Sequence, residues 1–299
     1  MKHFFTLTLV SVWVLSAFCQ LPNKSPYTFT SFWELPEFVP TFIASKNIQS
    51  IEIDSYRAEN QAPKDHLART TFLFNKQGKV LERIDTERED TSMVQRFDYN
   101  RDGLLVWERT EDKVWNREYK EGYRFNRNKK LFQVKSYEAI NASDLMLLNT
   151  KQYVYDKDSN LVAIRFMQNE QLIKVQNYQY DTEGRLTMES IENHLGETTQ
   201  ATEYTYNQQD QLVSVVNRKG KISEFRYDYN SDGNPIRAEW VQGEVTRGIV
   251  TYTYNGEGLL TRVSRVMNEP GQSETSSIQV FEYKPHQKEV EGDVIALDR

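Results

Sequence analysis

An aromatic pair followed by a turn recurs along most of this chain, and no other feature restricts its fold as tightly. Phe74, Tyr99, Phe125, Tyr155, Tyr180, Tyr206, Tyr229, Tyr254 and Tyr283 set the register, at intervals of 23 to 30 residues. Such a period belongs to stacked supersecondary units. The first eight anchors carry a second aromatic two residues earlier, from Phe72 and Phe97 through to Tyr252. Asn or Asp follows each of these eight directly. Glycine stands four positions on in five of them, and Leu or Val six positions on in seven, with Pro235 the exception.

Each column has a physical reason. Aromatics two apart project from one face of a strand, where their bulk suits a half-buried pleated surface. Asn or Asp opens a type I turn, because its side chain can accept from the backbone two residues on. Glycine then takes the left-handed conformation that closes the hairpin with a bulge. Lys129, Ser159 and Asp210 replace that glycine, so those three hairpins are expected to be looser. Val134, Ile164, Val215 and Val263, three residues beyond the Leu column, break strict alternation and predict a bulge or a strong twist there.

Two strands per unit with short connections predict an all-β chain, an antiparallel meander of about eight hairpin repeats. So many strands cannot stay flat, so a long curled or spiralling sheet is expected, with the aromatic ladder as its packed concave interior. Residues 20–69 read as an N-terminal cap with a first strand at Ile51-Glu52-Ile53. Residues 70–285 carry the repeats, and the polar tail 286–299 suits the far edge. The cap and tail would blunt the two sheet edges.

Residues 1–19 read as a signal peptide: Lys2 is followed by a short apolar run, and Ala17-Phe18-Cys19 offers a cleavage site before Gln20. Phe18 argues against lipidation of Cys19, since a small residue normally precedes a lipidated cysteine. Cys19 is the one cysteine in the sequence, so removal of the leader leaves no disulfide and no thiol chemistry. A net charge of −6 disfavours nucleic acid as a partner, and no apolar run is long enough for a transmembrane segment.

Tyr180-Asp181-Thr182-Glu183-Gly184-Arg185-Leu186 resembles the YD-repeat (RHS-repeat) signature YDxxGRL at every defined position. The other units are looser versions of it. The resemblance implies β-sheets wound into spiralling shells, which in larger members enclose a toxin or sit on cell surfaces. It points here to a small secreted bacterial member without a toxin domain. The sequence has no Asp-Pro dipeptide, which the self-cleavage motif of toxin-bearing members requires.

The residues give little sign of catalysis. Beyond the leader only His66, His194 and His286 remain, far apart in the repeat frame, and no nucleophile elbow, P-loop or zinc motif occurs. Two turns match the first half of a DxNxDG calcium loop: Asp98, Asn100 and Asp102, and Asp228, Asn230 and Asp232, with Glu239 twelfth in the second. Hairpin chemistry already accounts for both asparagines, and Pro235 stands where a calcium loop wants an aliphatic residue. No cofactor is therefore expected, with calcium the one ion left open. Trp107, Trp115 and Trp240 lie off the ladder columns and are the candidate binding platform for a protein or glycan. The insertion at Glu138–Thr150 is the expected projecting loop. The sequence thus predicts a non-catalytic binding or structural protein, secreted, periplasmic or on the cell surface. A carbohydrate-active enzyme using a carboxylate pair and a fragment of a cargo shell are the alternatives.

Overall fold

The structure, a computed structural model, describes residues 27–28, 37–141, 144–219, 222–268 and 274–286. The leader at 1–19 and the tail beyond His286 lie outside the described residues. Two short strands, β1 (Tyr27–Thr28) and β2 (Glu37–Phe38), pair antiparallel ahead of the helix α1 (Pro40–Ser45). Then come β3 (Ile48–Glu59), β4 (Ala62–Phe74), β5 (Val80–Glu87), β6 (Asp90–Tyr99), β7 (Leu105–Asp112) and β8 (Arg117–Phe125). These are followed by β9 (Leu131–Ala139), β10 (Leu145–Tyr155), β11 (Leu161–Gln168), β12 (Gln171–Tyr180), β13 (Leu186–Asn193) and β14 (Thr198–Tyr206). The last six are β15 (Leu212–Asn217), β16 (Ser223–Tyr229), β17 (Pro235–Gln242), β18 (Val245–Tyr254), β19 (Leu260–Met267) and β20 (Thr275–Pro285).

From β3 to β20 every strand pairs antiparallel with the next, and β20 then pairs with β3 to close a barrel of 18 strands. The all-β meander is as expected, but the open curled sheet of about eight hairpins is not what forms. Closure has a plain cause. The β20–β3 ladder runs from Ser277↔Arg57 to Pro285↔Ile48 and satisfies two rows of backbone groups that an open sheet would leave bare. The expected edge cap and edge tail therefore have no edge to cover. Instead α1 lies over the turn after β4. A Cβ placed on Gly78 would sit 1.9 Å from the Pro40 carbonyl oxygen. Ile43 is fully buried, and Phe38 packs edge-on against Phe72 and Phe74, with ring centroids 5.4 and 5.8 Å away.

The turns explain the Asn/Asp column. Asn75 N–H donates to the Lys79 carbonyl and Gly78 N–H to the Asn75 carbonyl, each at 2.9 Å. The Asn75 side-chain oxygen accepts from the amides of Gln77 and Lys79 at 3.0 Å. The same two backbone bonds recur at Asn100, Asn126, Asp156, Asp181, Asn207, Asn230 and Asn255. Every one of these turns carries the bulge: Tyr99 faces Leu105 while Asp98 faces Trp107, leaving Val106 as the extra residue. Lys129, Ser159 and Asp210 do not loosen their turns. They hold the left-handed conformation at φ 60, 79 and 60° and keep both bonds, because the Asn/Asp oxygen and the flanking ladders fix the loop. Ser159→Gly should therefore stabilise the barrel by about 1 kcal/mol, the steric cost of a side chain in that region. A urea midpoint that stays put or falls would show that Ser159 is not strained.

The aromatic columns face inward. Phe72, Phe97, Tyr123, Tyr153, Tyr178 and Tyr252 are buried in one core cluster, with Tyr99, Phe125, Tyr155, Tyr180, Tyr254 and Tyr283 packed against it. The second column also explains its preference for Tyr. The Tyr99 hydroxyl donates to the Val80 carbonyl at 2.9 Å, that of Tyr155 to Leu131 at 2.8 Å, and that of Tyr180 to Leu161 at 2.8 Å. Tyr206, Tyr229, Tyr254 and Tyr283 reach back in the same way to Leu186, Leu212, Pro235 and Leu260. Each tyrosine thus pins its own unit to the first residue of an earlier return strand while keeping its buried hydroxyl satisfied.

The outward face is charged. Arg109 pairs with Asp98 at 2.7 Å, Arg218 with Glu203 at 2.7 Å and Arg226 with Glu224 at 2.8 Å, all with exposed arginines. A membrane-spanning barrel has the reverse arrangement, an apolar outer band around a polar interior.

Candidate functional site

The three off-ladder tryptophans do not form one platform. Trp107 projects outward from β7 over Gly122, whose added Cβ would lie 3.0 Å from the indole, and its ring centroid is 6.3 Å from that of Tyr137. Trp115 sits in the turn between β7 and β8, 69% exposed. Trp240 points inward and stacks on Phe225 at 6.4 Å. The two calcium-like turns are likewise engaged in other bonds. Asp98 pairs with Arg109, Asn100 accepts from the Leu104 amide at 2.9 Å, and Asp102 accepts from Lys129 at 3.0 Å. Asn230 accepts from the amides of Asp232 and Asn234 at 3.1 and 2.9 Å, Glu239 pairs with Arg237 at 2.5 Å, and Asp228 lies opposite Arg237 in the ladder. Among the described residues no three His, Cys, Asp or Glu side chains gather to hold a metal.

The unusual chemistry lies inside the barrel. Glu108 on β7 is 2% exposed, and Gln95 on β6 donates to its Oε1 at 3.1 Å. The Tyr123 hydroxyl on β8 lies 3.0 Å from Glu108 Oε2 and 2.9 Å from Glu121 Oε2. Ser136 donates to the other Glu121 oxygen at 2.7 Å, and Lys151 Nζ stands 3.7 Å from it. A phenol has one proton to donate, so it can satisfy only one of two ionised carboxylates. The second contact becomes a hydrogen bond when Glu108 is protonated and donates to the Tyr123 oxygen, while Tyr123 donates to Glu121. Burial is the main force in that direction. Together with the nearby Glu121 charge it pushes the Glu108 carboxyl up to about 7, against an opposing pull from the Tyr123 hydrogen bond, Lys151 and Arg83.

A glycosidase-type pair would need sugar and water between its two acids. Here Tyr123 fills that space. The cluster can hold a proton in the wall of the core, where Glu108 and Tyr123 are both buried. Glu108 was missed in the sequence although a signal was present. It stands three residues beyond the Leu column, where Val134, Ile164, Val215 and Val263 occupy the same place in other units. A carboxylate in an apolar column marks the exception, and Glu189 is a second instance, with burial again raising its carboxyl above the ordinary range.

Part of the repeat region is similar to a known family. Residues 139–270 match the sequence model of the Teneurin YD-shell family. Over that stretch, rather less than half of its length, the chain is similar to the YD-repeat family. No curated protein matches it. Among solved structures, a porin-like protein from Bacteroides uniformis is 11% identical with a TM-score of 0.43, over 79% of this chain and 98% of that one. The TcdB2-TccC3-TEV structure is 11% identical with a TM-score of 0.29, covering 75% of this chain and 18% of that one. TcdB2-TccC3 without its hypervariable C-terminal region is 12% identical at 0.28, again over 75% and 18%.

Proposed function

We propose that this barrel is a non-catalytic structural and binding module, exported to the cell envelope or exterior, that engages a protein or glycan partner through one of its two rims. The contrast between the rims supports this reading. The rim formed by the Asn/Asp turns is polar and tight. The opposite rim presents Val114, Trp115, Ile140 and Leu195, 61 to 69% exposed, from three of its hairpins. Leu145, Met146 and Leu147 join them from the start of β10, within the insertion expected to project. Large apolar side chains concentrated on hairpin tips mark a contact surface, whereas the same residues scattered singly would not.

The test is a glycan and peptide array screened with the wild-type protein and with Trp115→Ser/Leu195→Ser. Both residues lie in exposed turns, so the melting temperature should hold while binding to any hit falls at least tenfold. Unchanged binding by the variant would move the contact surface elsewhere. Turnover of an arrayed glycan would overturn the non-catalytic reading.

A further inference from the structure

The rim of Asn/Asp turns is divided by charge. Around the barrel the turns follow one another in chain order, because every strand pairs with its sequence neighbour. The first three, 75–79, 100–104 and 126–130, carry Lys76, Lys79, Arg101, Arg127, Lys129 and Lys130 against Asp102. Each of the next five, 156–160, 181–185, 207–211, 230–234 and 255–259, is net negative, through residues such as Glu183, Asp210, Asp232 and Glu257. The charges stand out from the rim. Lys129 and Glu183 have side chains 62 and 60% exposed, and Lys76, Arg101, Arg127, Asp232 and Glu257 are also exposed. Helix α1 covers Gly78.

A ring with one basic arc and one acidic arc is complementary to itself. We infer that two copies of this chain associate rim to rim through these turns, related by a two-fold axis lying in the plane of the rim. Such an axis reverses the order of turns around the ring. It sets 75–79 over 230–234, 100–104 over 207–211 and 126–130 over 181–185 of the second copy, and each contact occurs twice, as an isologous interface requires. The basic turns 75–79 and 126–130 then meet acidic turns, the neutral turn 100–104 (Arg101 against Asp102) meets the acidic turn 207–211, and the turn 156–160 lies on the axis against its own copy. A parallel stacking of rim on opposite rim has no such match, because it would place the polar turns against Trp115 and its apolar neighbours. Charge matching of this kind sets register and encounter, and it weakens as salt screens it.

The experiment measures the mass of the full chain by light scattering at ionic strengths of about 0.01 and about 1 M, where the screening length falls from about 30 to about 3 Å. A dimer at low salt that dissociates at high salt is the expected result. Arg127→Glu and Glu183→Arg should each weaken the dimer at least tenfold. The double variant should restore it, because the two positions face each other across the axis. Arg127 has no side-chain partner among the described residues, so its reversal leaves the barrel's own bonds in place. A monomer at low salt, a dimer indifferent to salt, or a double variant no better than either single one would each overturn the inference.

Discussion

Gly78→Ala is expected to cost about 3 to 5 kcal/mol, while Gly184→Ala costs about 1 to 2 kcal/mol. Both glycines sit at positive φ, 75 and 80°, where a side chain costs about 1 to 2 kcal/mol. Their surroundings differ. An added Cβ at Gly184 meets nothing within 4 Å. At Gly78 it would lie 1.9 Å from the Pro40 carbonyl oxygen and 2.8 Å from the Ala44 amide nitrogen, both rigid backbone of α1. The helix must move away, and that movement withdraws Ile43 and Phe38 from the core, where each buried side chain contributes about 1.5 to 3 kcal/mol. Urea unfolding of both variants checks this. Equal costs would mean that α1 is not docked on the turn.

Glu108→Gln is expected to stabilise the protein above pH 7 by up to about 3 kcal/mol and to change little at pH 4. The sign follows from proton binding. Glu108 titrates near 7 in the folded barrel against an ordinary 4.5, so between those values the folded state holds a proton that the unfolded chain has released. Stability from this group is therefore complete at low pH, declines as pH rises from about 4.5, and is fully lost above about 7, at about 1.4 kcal/mol per pH unit. The group is almost wholly buried, so solvent screening takes little from that figure. Glutamine keeps the shape, stays neutral at every pH and can donate to the Tyr123 oxygen in place of the acid proton. Melting curves of wild type and variant from pH 4 to 9 should converge at the acid end and separate at the alkaline end. Parallel curves would show that Glu108 is ionised throughout.

The eight turns were legible in the sequence because each is local. Asn75 and Gly78 form their bonds within five residues, so their identities alone specify the loop, down to the bulge after the Leu column. Ser159 shows where that reading stops. Local preference called for a looser hairpin, yet the ladders on either side hold the turn closed, a constraint imposed by strands distant in sequence. The inward aromatic columns were also legible, because period-two spacing fixes which face of a strand they occupy.

Closure was not legible. The pairing of Ser277 with Arg57 and of Pro285 with Ile48 depends on accumulated twist and stagger over all the intervening strands, which no single repeat encodes. The same holds for the Glu108–Tyr123–Glu121 contact, built from neighbouring strands whose register places three interior side chains together. Sequence by itself determined the repeat, its turns and the face each aromatic takes, since these depend on short-range backbone chemistry. Tertiary structure alone decided that the sheet meets itself, that α1 docks on Gly78, and that one glutamate in an apolar column is buried beside another, because each requires residues far apart in the chain to share the same space.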